Sequence, residues 1–81
     1  EPFTLIDKLK AEGKFSKAVE MITIDGLRVE YVDGFGLARP SNTTPVVVLR
    51  FEADNTVALE RIQADFRQAI KAVWPGIELP F

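Results

Sequence analysis

Apolar and polar residues alternate through the middle of the chain and predict a set of short β-strands. Residues 27–32 place apolar side chains at every second position, which is the period of a strand with one buried face. Residues 46–52 begin with three valines and then alternate in the same way. Residues 35–38 predict a further short strand. Residues 21–24 form an apolar run that ends at Asp25-Gly26, a pair that favours a tight type I′ hairpin turn. Together these segments predict a small antiparallel sheet.

Helical periodicity is visible on both sides of these strands. Residues 4–12 predict a short helix that begins near Thr4 and ends before Gly13. Asn55 and its polar neighbours are N-cap candidates for a long helix that runs to about residue 73. Its apolar positions are spaced by three and four residues: Leu59, Ile62, Phe66, Ile70 and Val73. We therefore expect residues 1–81 to form one α+β domain, with the helices packed on one face of the sheet.

Composition excludes several classes of function. Ten Lys and Arg against twelve Asp and Glu give a formal charge of −2, which offers no general attraction for nucleic acid. The chain has no cysteine and therefore no disulfide framework, so we expect a cytoplasmic protein. Its longest apolar run is far shorter than the roughly 20 residues of a membrane span. Neither a nucleic acid nor a membrane is expected as a partner.

The residue types also limit the chemistry that this chain can perform. The absence of histidine removes the commonest general base and every Ser-His or Cys-His nucleophile. No Asp-x-Asp-x-Asp segment is present that would hold a divalent cation. We therefore predict neither a catalytic residue nor a metal ligand within this chain.

A polar segment between the last two predicted strands carries the strongest chemical signal. Residues 39–45 run Arg-Pro-Ser-Asn-Thr-Thr-Pro, which combines a guanidinium, three hydroxyls and an amide between two prolines. Arginine can bind a phosphate through two parallel charge-assisted hydrogen bonds, and hydroxyls and backbone N–H groups can satisfy its other oxygens. The candidate residues are Arg39, Ser41, Asn42, Thr43 and Thr44. On residue chemistry alone, an ordinary turn and an anion site both remain open.

The same segment resembles a known family. Residues 36–45 run Gly-Leu-Ala-Arg-Pro-Ser-Asn-Thr-Thr-Pro, with Asp-Gly-Leu-Arg-Val before them at 25–29 and Val-Val-Val-Leu-Arg-Phe-Glu-Ala after them at 46–53. The pattern looks like the C-terminal domain of the α-D-phosphohexomutases, and is most similar to the bacterial phosphomannomutase/phosphoglucomutase branch. The resemblance extends over residues 25–81 and is looser before them. It implies a TATA-binding-protein-like sheet with helices on one face.

The resemblance also implies a function for the loop. In that family the loop binds the phosphate of a hexose phosphate distal to the reacting one, and Arg39, Ser41, Asn42 and Thr43 match the contacting positions. Thr44 stands where other branches usually carry glutamate. The expected ligands are mannose or glucose 1- and 6-phosphates. The family transfers a phosphoryl group from a phosphoserine, through a bisphosphorylated hexose and with Mg²⁺.

These implications lead to two hypotheses about the whole chain. In the first, residues 1–81 are a C-terminal domain cut from a longer mutase, partnered by its other domains and inactive when isolated. In the second, the chain is a free-standing α+β regulatory module that binds a small effector. A mutase domain should bind hexose phosphates weakly, whereas a regulatory module should bind an effector and dimerise.

Overall fold

Strands that alternate apolar and polar side chains build an antiparallel sheet. The computed structural model describes residues 2–15, 17–41 and 46–81. Within these residues the strands are β1 (Glu20–Ile22), β2 (Leu27–Tyr31), β3 (Gly34–Pro40) and β4 (Val47–Ala53). Each strand pairs with the next one along the chain, so the sheet order is β1-β2-β3-β4. The β1–β2 turn and the β3–β4 loop therefore lie at the same end of the sheet.

Register gives the sheet one apolar face. Leu27, Val29 and Tyr31 of β2 are buried, whereas Arg28 and Glu30 between them are half-buried and lie on the opposite face. Residues paired across antiparallel strands share a face, and the same alternation continues into β3 and β4. The core-facing partners across the sheet are Leu27, Ala38 and Leu49 in one row, and Val29, Gly36 and Phe51 in the next.

Two helices cover this apolar face within the described residues. They are α1 (Pro2–Glu12) and α2 (Thr56–Val73). Each contributes a buried stripe at helical spacing: Leu5, Ile6 and Leu9 from α1, and Ile62, Phe66 and Ile70 from α2. The apolar residues 77, 79 and 81 pack against the same core. The predicted α+β fold, with helices on one face of an antiparallel sheet, is confirmed.

The ring of Phe66 lies at the centre of this core. It is fully buried and contacts Phe15 and Phe51, with ring centroids 4.9 and 5.2 Å away. A β-carbon at Gly36 of β3 would lie 2.3 Å from the Phe66 ring. Non-bonded carbon atoms do not approach so closely, so a side chain at position 36 would displace the Phe66 ring. Glycine at this position therefore allows α2 to pack against the sheet.

The N-terminus of α2 is capped as its sequence predicts. Asn55 is in an extended conformation, and its Oδ1 accepts a hydrogen bond of 2.8 Å from the backbone N–H of Ala58. One of the N–H groups that lack a partner inside the helix is therefore satisfied by the cap.

Replacing Asn55 with alanine is expected to lower the free energy of unfolding by about 1 kcal/mol, because the Ala58 N–H loses its acceptor. Asn55→Asp keeps an acceptor oxygen and places a negative charge at the helix N-terminus, so it should retain the stability. Urea denaturation of both variants measures the difference. An Asn55→Ala protein as stable as the unchanged chain would contradict this role.

The β1–β2 connection differs from the predicted tight turn. β1 ends at Ile22 rather than at residue 24, and residues 23–26 connect it to β2. A type I′ turn needs a positive φ at both central residues. Gly26 has a φ of 82°, but Asp25 has no positive φ. The predicted strand was too long at its end, because Ile24 is exposed and lies outside β1 although it is apolar.

Two other boundaries also differ from the sequence prediction. β3 extends to Pro40, so Arg39 and Pro40 are the end of a strand rather than the start of a loop. Proline is tolerated there because a strand end needs no further N–H donor. α1 begins at Pro2 rather than near Thr4. Proline suits the first turn of a helix, where its missing N–H would have no partner.

Charged and polar side chains of α2 bind the end of the sheet where β2 turns into β3. Arg61 of α2 binds the Asp33 carboxylate through both terminal nitrogens, and the Tyr31 hydroxyl donates to Asp65 at 2.9 Å. The hydrogen bonds from Arg61 hold the pKa of Asp33 below its usual value. Burial, with the bond to Asp65, raises the pKa of Tyr31. This network lies at the opposite end of the sheet from the β3–β4 loop.

Candidate functional site

The β3–β4 loop begins and ends on paired backbone. Pro40 pairs with Val47 as the last residues of the ladder. Beyond them the Ser41 N–H donates to the Val46 carbonyl oxygen at 2.9 Å. The chain therefore leaves the sheet and returns to it at a base that two neighbouring strands hold.

The structure describes two of the five predicted site residues. Arg39 and Ser41 are half-buried at the base of the loop. Asn42, Thr43 and Thr44 lie outside the described residues. Phosphate binding by this set of five residues therefore stays a prediction.

Arg39 differs from the other arginines in its surroundings. Among the described residues, no acidic side chain forms a salt bridge with Arg39. The remaining arginines each have a polar partner: Arg28 with Glu30, Arg50 with Glu52, Arg61 with Asp33, and Arg67 with the Phe81 carbonyl oxygen. Arg39 is thus the guanidinium that an anion at the loop can engage without displacing a described carboxylate.

An open depression of about 190 Å³ lies beside the loop base. Pro40 forms part of its wall, together with the β1–β2 turn and α1. Lys10 of α1 lies in this wall and brings a second positive charge to the loop end of the domain, with Asp7 as its neighbour on the same helix. The sequence did not indicate that Asp7 or Lys10 lies near the loop, because helical periodicity does not show which end of the sheet a helix residue reaches.

Gly26 of the β1–β2 turn also lies at this end of the sheet, directly against Arg39. The sequence indicated only a turn at this glycine. Its proximity to Arg39 depends on strand register, which local patterns do not encode. The Asp-Gly pair was the one available signal, and it pointed to backbone conformation rather than to a site.

The described residues contain no group of three or more acidic, histidine or cysteine side chains that could hold a metal ion. Asp33 and Asp65 are hydrogen-bonded to Arg61 and Tyr31, respectively, at the β2–β3 end of the sheet. These residues therefore do not fit a Mg²⁺ site. Within the same described ranges, no helix is long and apolar enough to cross a membrane.

Comparison with known families gives a direct match. Residues 3–69 match the family described as phosphoglucomutase/phosphomannomutase, C-terminal domain. A phosphoglucomutase from Neisseria meningitidis serogroup A is 57% identical in an alignment 75 residues long, which covers 88% of this chain and 16% of that protein. A phosphomannomutase/phosphoglucomutase from Pseudomonas aeruginosa is 47% identical over 79 residues, or 98% of this chain and 17% of that protein.

A solved structure supports the same relationship. A phosphoglucomutase/phosphomannomutase family protein from Burkholderia thailandensis superposes with a TM-score of 0.95 at 70% identity. The match covers 98% of this chain and 17% of that protein. The chain thus spans about a sixth of the length of the relatives that it matches.

Proposed function

This chain belongs to the family of phosphoglucomutase/phosphomannomutase C-terminal domains, and on that premise we propose that it binds the distal phosphate of a hexose phosphate. It does so as the C-terminal domain of a longer mutase. That enzyme interconverts 1- and 6-phosphates of glucose or mannose through a bisphosphorylated hexose. The names of the relatives support both sugars.

The observation that carries this proposal is the state of Arg39. Arg39 is half-buried at the base of the loop and has no acidic partner among the described residues, while arginines of the neighbouring strands pair with Glu30 and Glu52. A planar guanidinium can donate two parallel hydrogen bonds to one phosphate. No described ion pair has to break first, so the attraction between Arg39 and a phosphate is not offset by the loss of a described carboxylate partner.

The rest of the loop complements this charge. The Ser41–Val46 backbone bond closes the base of the loop, and residues 42–45 lie between these two residues in sequence. In sequence these residues supply an amide at Asn42 and hydroxyls at Thr43 and Thr44. We propose that these groups, with Ser41, satisfy the phosphate oxygens that Arg39 leaves uncovered.

Binding and orientation are the proposed contribution of this chain to catalysis. Holding the distal phosphate fixes the sugar so that its other end faces the reacting groups, which lowers the entropic part of the barrier. We assign the phosphoserine and Mg²⁺ to other parts of the longer enzyme, because the described residues here do not fit a metal site. The chain alone is therefore expected to bind hexose phosphates without converting them.

Relatives about six times as long as this chain support a domain of a larger enzyme over a free-standing regulatory module. A regulatory module should dimerise and bind an unrelated effector. Titration with glucose 6-phosphate separates the two hypotheses, since it tests whether this ligand binds and at which residues.

Titration of the 81-residue chain with glucose 6-phosphate is expected to shift the amide signals of Arg39 and of residues 41–44 in NMR spectra. The affinity should be weak, on the order of millimolar, because one phosphate in one open loop offsets little of the association entropy. Glucose without phosphate should cause no shifts there. Shifts concentrated around Asp33 or along α2 would contradict the proposed site.

A further inference from the structure

Gly26 occupies space that no other amino acid could share with Arg39. A β-carbon at position 26 would lie 2.5 Å from the Arg39 Cβ, 2.9 Å from its Cα and 2.6 Å from the carbonyl oxygen of Ala38. These separations are well inside van der Waals contact. Gly26 also has a φ of 82°, a conformation that side chains disfavour. Two independent constraints therefore require glycine.

The contact is with the Cα and Cβ atoms of Arg39, whose positions determine where its guanidinium can lie. Its backbone is held by pairing with Val48 and by Pro40, which restricts the preceding residue to extended conformations. Gly26 lies against its β-carbon, where the side chain leaves the backbone. A bulkier residue would have to displace the end of β3 or the turn, and with it the Arg39 side chain.

We infer that Gly26 is a positioning residue for phosphate binding: its bare α-carbon gives the Arg39 side chain room to leave the sheet beside the β1–β2 turn. This inference rests on the proposed function, since it assumes that Arg39 binds the phosphate. It adds that a residue far from the loop in sequence sets the geometry of that contact. Gly26 acts on the ligand only through Arg39.

A second glycine provides a matched control. Gly76 has a φ of 90°, but a β-carbon there would meet no atom within 4 Å. Gly26→Ala and Gly76→Ala therefore impose the same kind of backbone strain, and only the first also crowds Arg39. Asparagine tolerates positive φ better than alanine does. Gly26→Asn thus relieves the strain and keeps the crowding.

The variants are compared in the longer mutase that carries this domain, by steady-state kinetics with glucose 1-phosphate and by thermal melts. Gly26→Ala and Gly26→Asn should both raise KM about tenfold with a smaller change in kcat, as expected for lost binding. Gly76→Ala should leave KM unchanged. In an Arg39→Ala background, Gly26→Ala should have no further effect on KM, because the two changes share one mechanism.

Distinct results would overturn distinct claims. If Arg39→Ala leaves kcat/KM unchanged, the proposed function itself fails. If Arg39→Ala weakens binding but Gly26→Asn behaves like the unchanged enzyme, backbone strain explains the alanine variant and the positioning role is wrong. Should the Gly26 variants not fold, three-bond couplings in the unchanged 81-residue chain decide instead. They should show one χ1 rotamer at Arg39, and averaging like that of exposed Arg50 would overturn the inference.

Discussion

Replacing Arg39 with alanine in the longer mutase is expected to lower kcat/KM by about 30- to 1000-fold, or roughly 2–4 kcal/mol. The change removes a guanidinium that has no described acidic partner and leaves the phosphate without its proposed bidentate donor. Steady-state kinetics measures the loss. Because Arg39 is half-buried at a strand end, a melting curve of the same variant checks that its fold is retained.

Two further variants make this result specific to the planar guanidinium. Arg39→Lys keeps the positive charge but loses the fork of parallel donors, so it should recover only part of the lost kcat/KM. Arg50→Ala removes an arginine that is exposed, lies on the same sheet and pairs with Glu52 at 2.6 Å. Exposed pairs contribute little, so this control should change kcat/KM less than threefold or so. Unchanged kcat/KM in a folded Arg39→Ala enzyme would exclude the proposed phosphate contact.

Replacing Phe66 with alanine is expected to lower the free energy of unfolding by about 3–5 kcal/mol. The ring is fully buried and contacts Phe15 and Phe51, and Gly36 offers no side chain that could fill the cavity. A domain of this size has a total stability of roughly 4–12 kcal/mol. The variant should therefore unfold at a much lower urea concentration, or be largely unfolded without urea.

Val57→Ala provides the control for this measurement on the same helix. Val57 is 75% exposed, so its replacement should change the free energy of unfolding by less than about 0.5 kcal/mol. Both variants are followed by circular dichroism during urea denaturation. A Phe66→Ala protein that loses less than about 1 kcal/mol would mean that the helix and sheet repack around the vacated space.

The sequence predicts best those elements whose formation depends on one segment alone. α2 begins at Thr56 after the Asn55 cap and ends at Val73, as its spacing and cap residues indicated. β2 buries the side chains that its alternation assigned to the core. In both cases a long periodic pattern and its end signals lie within the element itself.

Boundaries set by a partner strand were harder to predict. β3 continues to Pro40 because Val47 of β4 lies opposite it. β1 stops at Ile22, where Arg28 is its last partner, although the apolar run continues to Ile24. Neither limit is encoded near the residue concerned, since a ladder ends where either strand ends.

The candidate site was likewise predictable where it depends on one segment, and not where it depends on contacts between segments. Arg39 and the polar residues after it could be identified from their donors and from the resemblance to a family. The contact between Arg39 and Gly26 could not, because the register of β2 and β3 brings the β1–β2 turn against the end of β3. The position of Lys10 beside the loop base likewise depends on how α1 lies across the sheet.

The order of the strands bears on how quickly the chain can fold. Since each strand pairs with its sequence neighbour, the sheet assembles by closing short loops, and short loops carry a small entropic cost. The packing of the helices joins more distant parts of the chain, since α1 contacts α2 and β3, and α2 also contacts β3. Low sequence separation between contacts favours rapid folding. The depression beside the loop base is complete only once the first helix has docked, because α1 forms part of its wall.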